Sequence, residues 1–188
     1  MAVMMTVSAG AVPVLAANTP SSTTSQAEQK KQQAMKTALT AVKKRVKIPD
    51  RLTEFDYSMS TSYGTEAFSF TWHDEKYRES IYITYANGII LSYEYKADKD
   101  YSQKEKQSFA KLTNAQLIEY AKKAFEKLEP DLAGKGKYSI DSIDLFGDNA
   151  SLKLDRMENG VAVEGNGATI VINKNTGDLV SMWVEWFW

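Results

Sequence analysis

Two stretches of the chain carry apolar residues at helical spacing. In the first, Met35, Ala38, Leu39, Val42 and Val46 recur three and four apart, which predicts an amphipathic helix over about Ala27 to Lys47. Lys43, Lys44, Arg45 and Lys47 crowd its C-terminal end, where the helix dipole favours cations, and Pro49 stops it. In the second, Leu117, Ala121, Ala124, Phe125 and Leu128 share one face. Thr113 and Gln116 precede them at the spacing of a capping box, and Pro130 ends the run.

After each helix the period drops to two. FSFTW places Phe68, Phe70 and Trp72 on one side, and SIYITY does the same with Ile81, Ile83 and Tyr85. Asn87-Gly88 then predicts a tight hairpin into IILSYEY. Beyond Pro130 the runs KYSIDSIDLF, ASLKLDR, GVAVEG, ATIVIN and DLVSMWVEWFW read as strands. In the last run, Val180, Met182, Val184, Trp186 and Trp188 form an apolar face directed at a core. Leu179, Ser181, Trp183, Glu185 and Phe187 form an amphipathic face suited to a partner or a neighbouring unit. The strand is expected to close the core through Trp186, with its last two residues an exposed or truncated end.

Helix followed by strands therefore occurs twice. IYITYANGIILSYEY and IVINKNTGDLVSMWV align without a gap, Ile81 on Ile170 and Gly88 on Gly177, 89 residues apart in each case. The fold class this predicts is α+β: two tandem modules, each an α-helix packed on an antiparallel β-sheet, at residues 31–96 and 112–188. The charged run 97–111 reads as a connector and the polar stretch 18–30 as a flexible lead-in. Residues 1–17 have the apolar region and small-residue cleavage point of a secretory signal, without its positively charged beginning.

A net charge of −1 over 188 residues gives no basic footprint for nucleic acid and no polybasic patch for an anionic membrane. The absence of cysteine excludes a disulfide framework and thiol catalysis.

Candidate chemistry is sparse. The single histidine, His73, reads as a solvated turn residue, and no serine stands in a nucleophile-elbow context. Asp141, Asp144 and Asp148 lack the spacing of a calcium loop, and NKNTGD at 173–178 reads as a hairpin turn with Gly177 at positive φ. Asp155, Glu158 and Glu164 could supply carboxylates for glycoside hydrolysis, but among 24 acidic residues some pair is always available, and they read as a solvated charged face. GKGK at 134–137 reads as a basic loop and lacks P-loop spacing. No cofactor or metal motif is found. Arg156 is expected at a strand end, ion-paired to a carboxylate such as Glu164. Tyr82 and Tyr93 are expected to point away from the core as a recognition surface, with Trp183 and Arg156 as the other candidate partner-binding residues.

The order helix, Pro, F-x-F-x-W and I-x-I-x(4)-G-x-I-x-S-Y is followed by a second set. That set reads T-x-x-Q-x-x-x-x-A, L-x-P, L-x-L-x-R, N-G-V-x-V-x-G-N, V-I-N-x-x-T-G-x-L-V-S and a terminal W. The whole, over about residues 34–188, resembles the YcdB/YcdC repeat family of exported Gram-positive proteins, related to PepSY domains. The matching positions of the second unit are Arg156, Asn159, Gly160, Gly165 and Asn166; the first unit has WHDEKYRES in that place. The resemblance implies antiparallel sheets packed on helices. It also implies kinship with modules that occur in the propeptides of thermolysin-type metallopeptidases and restrain them.

The expected protein is secreted or held in the cell envelope, is not an enzyme and uses no cofactor. Its expected partner is a protein, a secreted or wall-associated metallopeptidase, or else the cell wall, and it has no membrane span once the signal is removed. The alternatives are a structural envelope protein without a peptidase target and, third, a wall-polymer hydrolase.

Overall fold

The computed structural model describes residues 26–62, 65–97, 109–145 and 147–186. The expected signal, most of the lead-in and most of the connector lie outside the described residues, as do Phe187 and Trp188. The first helix, α1, spans Gln26–Arg45, so residues 26–30, expected in the lead-in, are helical. Four strands follow: β1 (Glu54–Ser62), β2 (Thr65–His73), β3 (Glu79–Ala86) and β4 (Ile89–Ala97). Then come α2 (Asn114–Leu128), a single turn α3 (Pro130–Ala133), and β5 (Gly136–Ile143), β6 (Asn149–Glu158), β7 (Val161–Asn173) and β8 (Leu179–Glu185).

Local signals explain most of these bounds. Thr113 Oγ1 accepts from the Gln116 amide and Gln116 Oε1 accepts from the Thr113 amide, the reciprocal capping box that starts α2. Pro130 ends α2 and opens α3, where a missing amide hydrogen costs nothing. Asn87 and Gly88 both adopt positive φ, 52° and 84°, and turn β3 into β4. Asn159 and Gly160 do the same between β6 and β7. The chain from Gly136 onward is strand, so only the beginning of GKGK is a turn.

The eight strands form one antiparallel sheet in the order β1-β2-β3-β4-β8-β7-β6-β5. The strands expected as two sheets are thus joined at the middle, through three residue pairs among the described residues: Ser92 with Trp183, Tyr93 with Met182, and Glu94 with Ser181. One face of the sheet is apolar across its width. Phe68, Phe70, Trp72, Ile81, Ile83, Ile90, Met182, Ile170, Ile172, Leu152 and Leu154 are all buried there. The buried stripe of α1 (Ala38, Val42) covers β2 and β3; that of α2 (Leu117, Ala121, Phe125, Leu128) covers β5, β6 and β7. The opposite face carries no helix among the described residues.

The register shifts in four of the ladders among the described residues, and two of these bulges lie in the central strands. In β4 the shift between Thr84 and Tyr85 leaves Leu91 unpaired with β3, and in β8 the shift between Val171 and Ile172 leaves Val180 unpaired with β7. The second bulge turns Leu179 to the helix side, where it packs on the core, instead of the Trp183 face expected for it. The ladders also show that Ile83 and Ile170 hold equivalent places, opposite Tyr93 and Met182. Ile81 and Ile83 therefore correspond to Ala168 and Ile170, not to Ile170 and Ile172 as the ungapped alignment has them. The reason is the turn at 173–178, which is longer than the two-residue turn at 87–88.

A buried ion pair ties the elements together. Glu129, between α2 and α3, is 2% exposed. Its Oε1 accepts from Arg45 Nη1 of α1 at 2.8 Å and from the Ile90 amide of β4 at 2.6 Å. Burial pushes its carboxyl up to about 7, against the opposing pull of the Ile90 amide and Arg45. An unfolded glutamate releases its proton near 4.5, so between 4.5 and 7 the folded chain holds the extra proton. Stability is therefore expected to fall by about 3 kcal/mol as pH rises through that window. Urea denaturation from pH 4.5 to 8 checks this, since Glu129→Gln should flatten that part of the profile; an unchanged slope would show that Glu129 does not cause it.

The turn at 173–178 satisfies itself. Asn173 Oδ1 accepts from the amides of Asn175 and Thr176, and Gly177 holds φ 80°. The ring of Tyr120 in α2 lies where a Cβ on Gly177 would stand, 2.5 Å from it. Gly177→Ala should cost about 2 kcal/mol, through φ strain and displacement of Tyr120, measured as a lower urea midpoint at unchanged m-value.

Candidate functional site

The helix-free face of the sheet is polar, and its side chains follow from strand parity. Asp56, Thr71, Tyr82, Glu94, Ser181, Trp183, Thr169 and Lys153 alternate with the buried set along their strands. Trp183 is 46% exposed there, while Met182, Val184 and Trp186 on either side of it point into the core.

Beside Trp183 the sheet carries a groove of about 480 Å³. It is made by an irregularity between β6 and β7. Met157 pairs with Ala162 and Asp155 with Gly167, so Val163, Glu164, Gly165 and Asn166 bulge out opposite the single residue Arg156. Gly165 supports the bulge at φ 67°, and Gly167 is held so close to β6 that a Cβ would lie 2.0 Å from the Leu154 carbonyl. The bulge walls the groove; Lys153, Asp155, Thr169, Trp183 and Glu185 line the strands beneath it. Asp155, Gly167 and Glu185 are cross-strand neighbours in one row, and Lys153, Thr169 and Trp183 in the next.

The four candidate partner-binding residues divide between the two faces. Trp183 and Tyr82 lie on the open face. Tyr82 is not part of the groove, and Lys96 Nζ sits 5.0 Å from its ring centroid. Tyr93 does not point away from the core. It pairs with Ile83 and Met182 and packs on the helix side, where burial pushes its hydroxyl up to about 12. Arg156 also takes the helix side; its side chain is only 16% exposed. It pairs with Glu158 rather than Glu164 and lies 5.4 Å from the Trp186 ring centroid. Arg156 is not at a strand end, because β6 runs on to Glu158.

His73 is not solvated: it is 4% exposed at the end of β2. Its Nδ1 is 2.7 Å from the Asp74 carbonyl and its Nε2 is 3.0 Å from Asp56 Oδ2. Tyr77, at φ 53°, stacks on the imidazole with centroids 3.5 Å apart and donates its hydroxyl to the same Asp56 oxygen at 2.8 Å. Both ring nitrogens are engaged by the protein, so neither faces a hydroxyl that it could activate. Asp155, Glu158, Glu164 and Glu185 are all exposed to water.

Among the described residues no cluster of three or more His, Asp or Glu side chains could hold a metal ion. The loop between β5 and β6 that carries Asp144 and Asp148 is met by Lys174 instead. This lysine is fully buried, donates from Nζ to the Asp144 carbonyl, and its amide donates to the Asp148 carbonyl at 2.7 Å. No described helix is long and apolar enough to cross a membrane.

The fold is thus α+β, helices on one face of an eight-stranded antiparallel sheet, with a grooved open face. Residues 21–186 match the YcdB, YcdC repeated domain, and the chain belongs to that family. Among solved structures it is similar to the Bacillus megaterium YpeB C-terminal domain, with a TM-score of 0.56 at 12% identity. The superposition covers 80% of this chain and 62% of that one, so the likeness is one of fold. No curated protein matches the sequence.

The groove was only partly visible in the sequence. Asp155, Glu164 and Glu185 were each apparent as carboxylates, but nothing joined them to Trp183. The available signal was Gly165-Asn166-Gly167 inside an otherwise alternating run, since glycine within a strand marks a bulge or a close backbone approach. The burial pattern also separates the two described tryptophans of β8 and its end. Trp186→Ala should destabilise by about 3 kcal/mol, and Trp183→Ala by less than about 0.5 kcal/mol. Thermal unfolding of the two variants checks the assignment, and equal losses would contradict it.

Proposed function

We propose that the chain is an exported, non-catalytic binding module that engages a secreted or wall-associated peptidase and restrains it. The observation that carries the binding reading is the exposed Trp183 at the edge of a groove built by a four-residue bulge. An indole on an open sheet face is a side chain suited to an interface. The engaged imidazole of His73 favours binding over catalysis. Export follows from the signal-like residues 1–17. The peptidase partner is drawn from the kinship of the family with PepSY domains, and fold alone is a weak guide to function.

The chain is also read as two tandem helix-plus-four-strand modules. Each half of the sheet has its own helix, and the last strands of the two halves, β4 and β8, pair antiparallel at the centre. The unpaired residues Leu91 and Val180 stand at matching places in those strands. The bulge-walled groove lies in the second half, and binding is assigned to that half.

Titrating the chain into a thermolysin-type metallopeptidase, and into the culture supernatant of the source organism, tests the partner. Saturable one-to-one inhibition that weakens about tenfold in Trp183→Ala is the expected result. Undiminished proteolysis at saturating chain, with recovery only of the chain itself or of wall material, would favour a structural envelope protein instead.

A further inference from the structure

We propose that the groove beside Trp183 receives a cationic side chain, arginine or lysine, presented by an extended segment of a partner protein. Its charge is one-sided. Asp155, Glu164 and Glu185 line it, and none of the three has an ion-pair partner among the described residues. The one cation of the lining, Lys153, is taken by Asp141 at 2.7 Å. An anionic or phosphorylated ligand would meet three carboxylates, of which only Asp155 lies within the field of Lys153.

The row structure gives a cation a place to lie. Asp155 and Glu185 flank Gly167 in one row, two strand spacings or about 10 Å apart. The next row offers the half-exposed indole of Trp183. A guanidinium or ammonium between the two carboxylates is within reach of that ring, which adds a cation–π attraction to the ion pairs. The bulge at 163–166 closes one side, so the side chain enters from the open face. This site rests on the binding-module reading but not on the partner being a peptidase.

The test is calorimetric titration of the full chain with a blocked peptide, acetyl-Gly-Ser-Arg-Ser-Gly-amide, and its Lys, Gln and Glu analogues. The Arg and Lys peptides should bind, the Glu peptide should not, and affinity should fall with added salt. Trp183→Ala and the double variant Asp155→Asn/Glu185→Gln should each weaken binding about tenfold. These side chains are exposed, so unchanged melting temperatures would confirm that the variants fold. Equal binding of all four peptides, or none by any, would overturn the proposal. So would a neutral N-acetylglucosamine oligosaccharide that binds at Trp183 while the Arg peptide does not. Binding of the Arg peptide without inhibition of any peptidase would keep this site and remove the peptidase partner.

Discussion

The carboxylate of Glu129 is the point on which the arrangement of the two halves turns. The sheet is continuous, and its halves share three residue pairs between β4 and β8 among the described residues. At this seam the Ile90 amide bonds to a side chain, Glu129 Oε1, and the same oxygen accepts from Arg45. One oxygen thus bridges the end of α1, the start of β4 and the junction of α2 with α3. The arrangement is costly in isolation, because a buried carboxylate loses its hydration. It is tolerated because the amide and the guanidinium replace the lost water.

Around that junction the two faces of the sheet do different work. The helix side is filled by large apolar residues of the strands and of α2, with Phe70, Ile90 and Ile170 of the sheet and Leu117 and Phe125 of the helix essentially inaccessible. Parity then forces the alternate residues onto the open side, and there the chain places hydroxyls, charges and only a few aromatics. The bulges at Leu91 and Val180 matter because a single inserted residue reverses which side of the strand faces the core. Leu179, half-buried, packs against the core for that reason.

The groove is a larger use of the same device. A regular β6–β7 hairpin would leave a flat surface beside Trp183. Three additional residues on one strand turn that surface into a walled depression without disturbing the apolar face beneath it. Gly165 permits the turn of the wall and Gly167 its close approach to β6. The glycine and asparagine positions that carry the family likeness, Asn159, Gly160, Gly165 and Asn166, are therefore the residues that shape this hairpin. Arg156 braces it from behind, against Glu158 and Trp186.

What the sequence determined by itself was local. The helix stripes, the capping box at Thr113, the Asn-Gly turn at 87–88 and the alternation of the strands are all short-range patterns, and each maps onto its element. So did the family, because its motifs are mostly turns and strand cores. β1 was overlooked although Phe55, Tyr57 and Met59 alternate, because serines and threonines dilute the pattern. Register was beyond reach, since a bulge or a longer turn changes pairing without changing periodicity; this misplaced Leu179, Tyr93 and the Ile81 correspondence. Only the tertiary structure could join β4 to β8, bury His73 under Tyr77, and set Glu129 against Arg45 from 84 residues away. It alone brought Asp155, Glu164, Trp183 and Glu185 to one groove. Those contacts depend on how strands far apart in the chain lie side by side, and no local pattern encodes that.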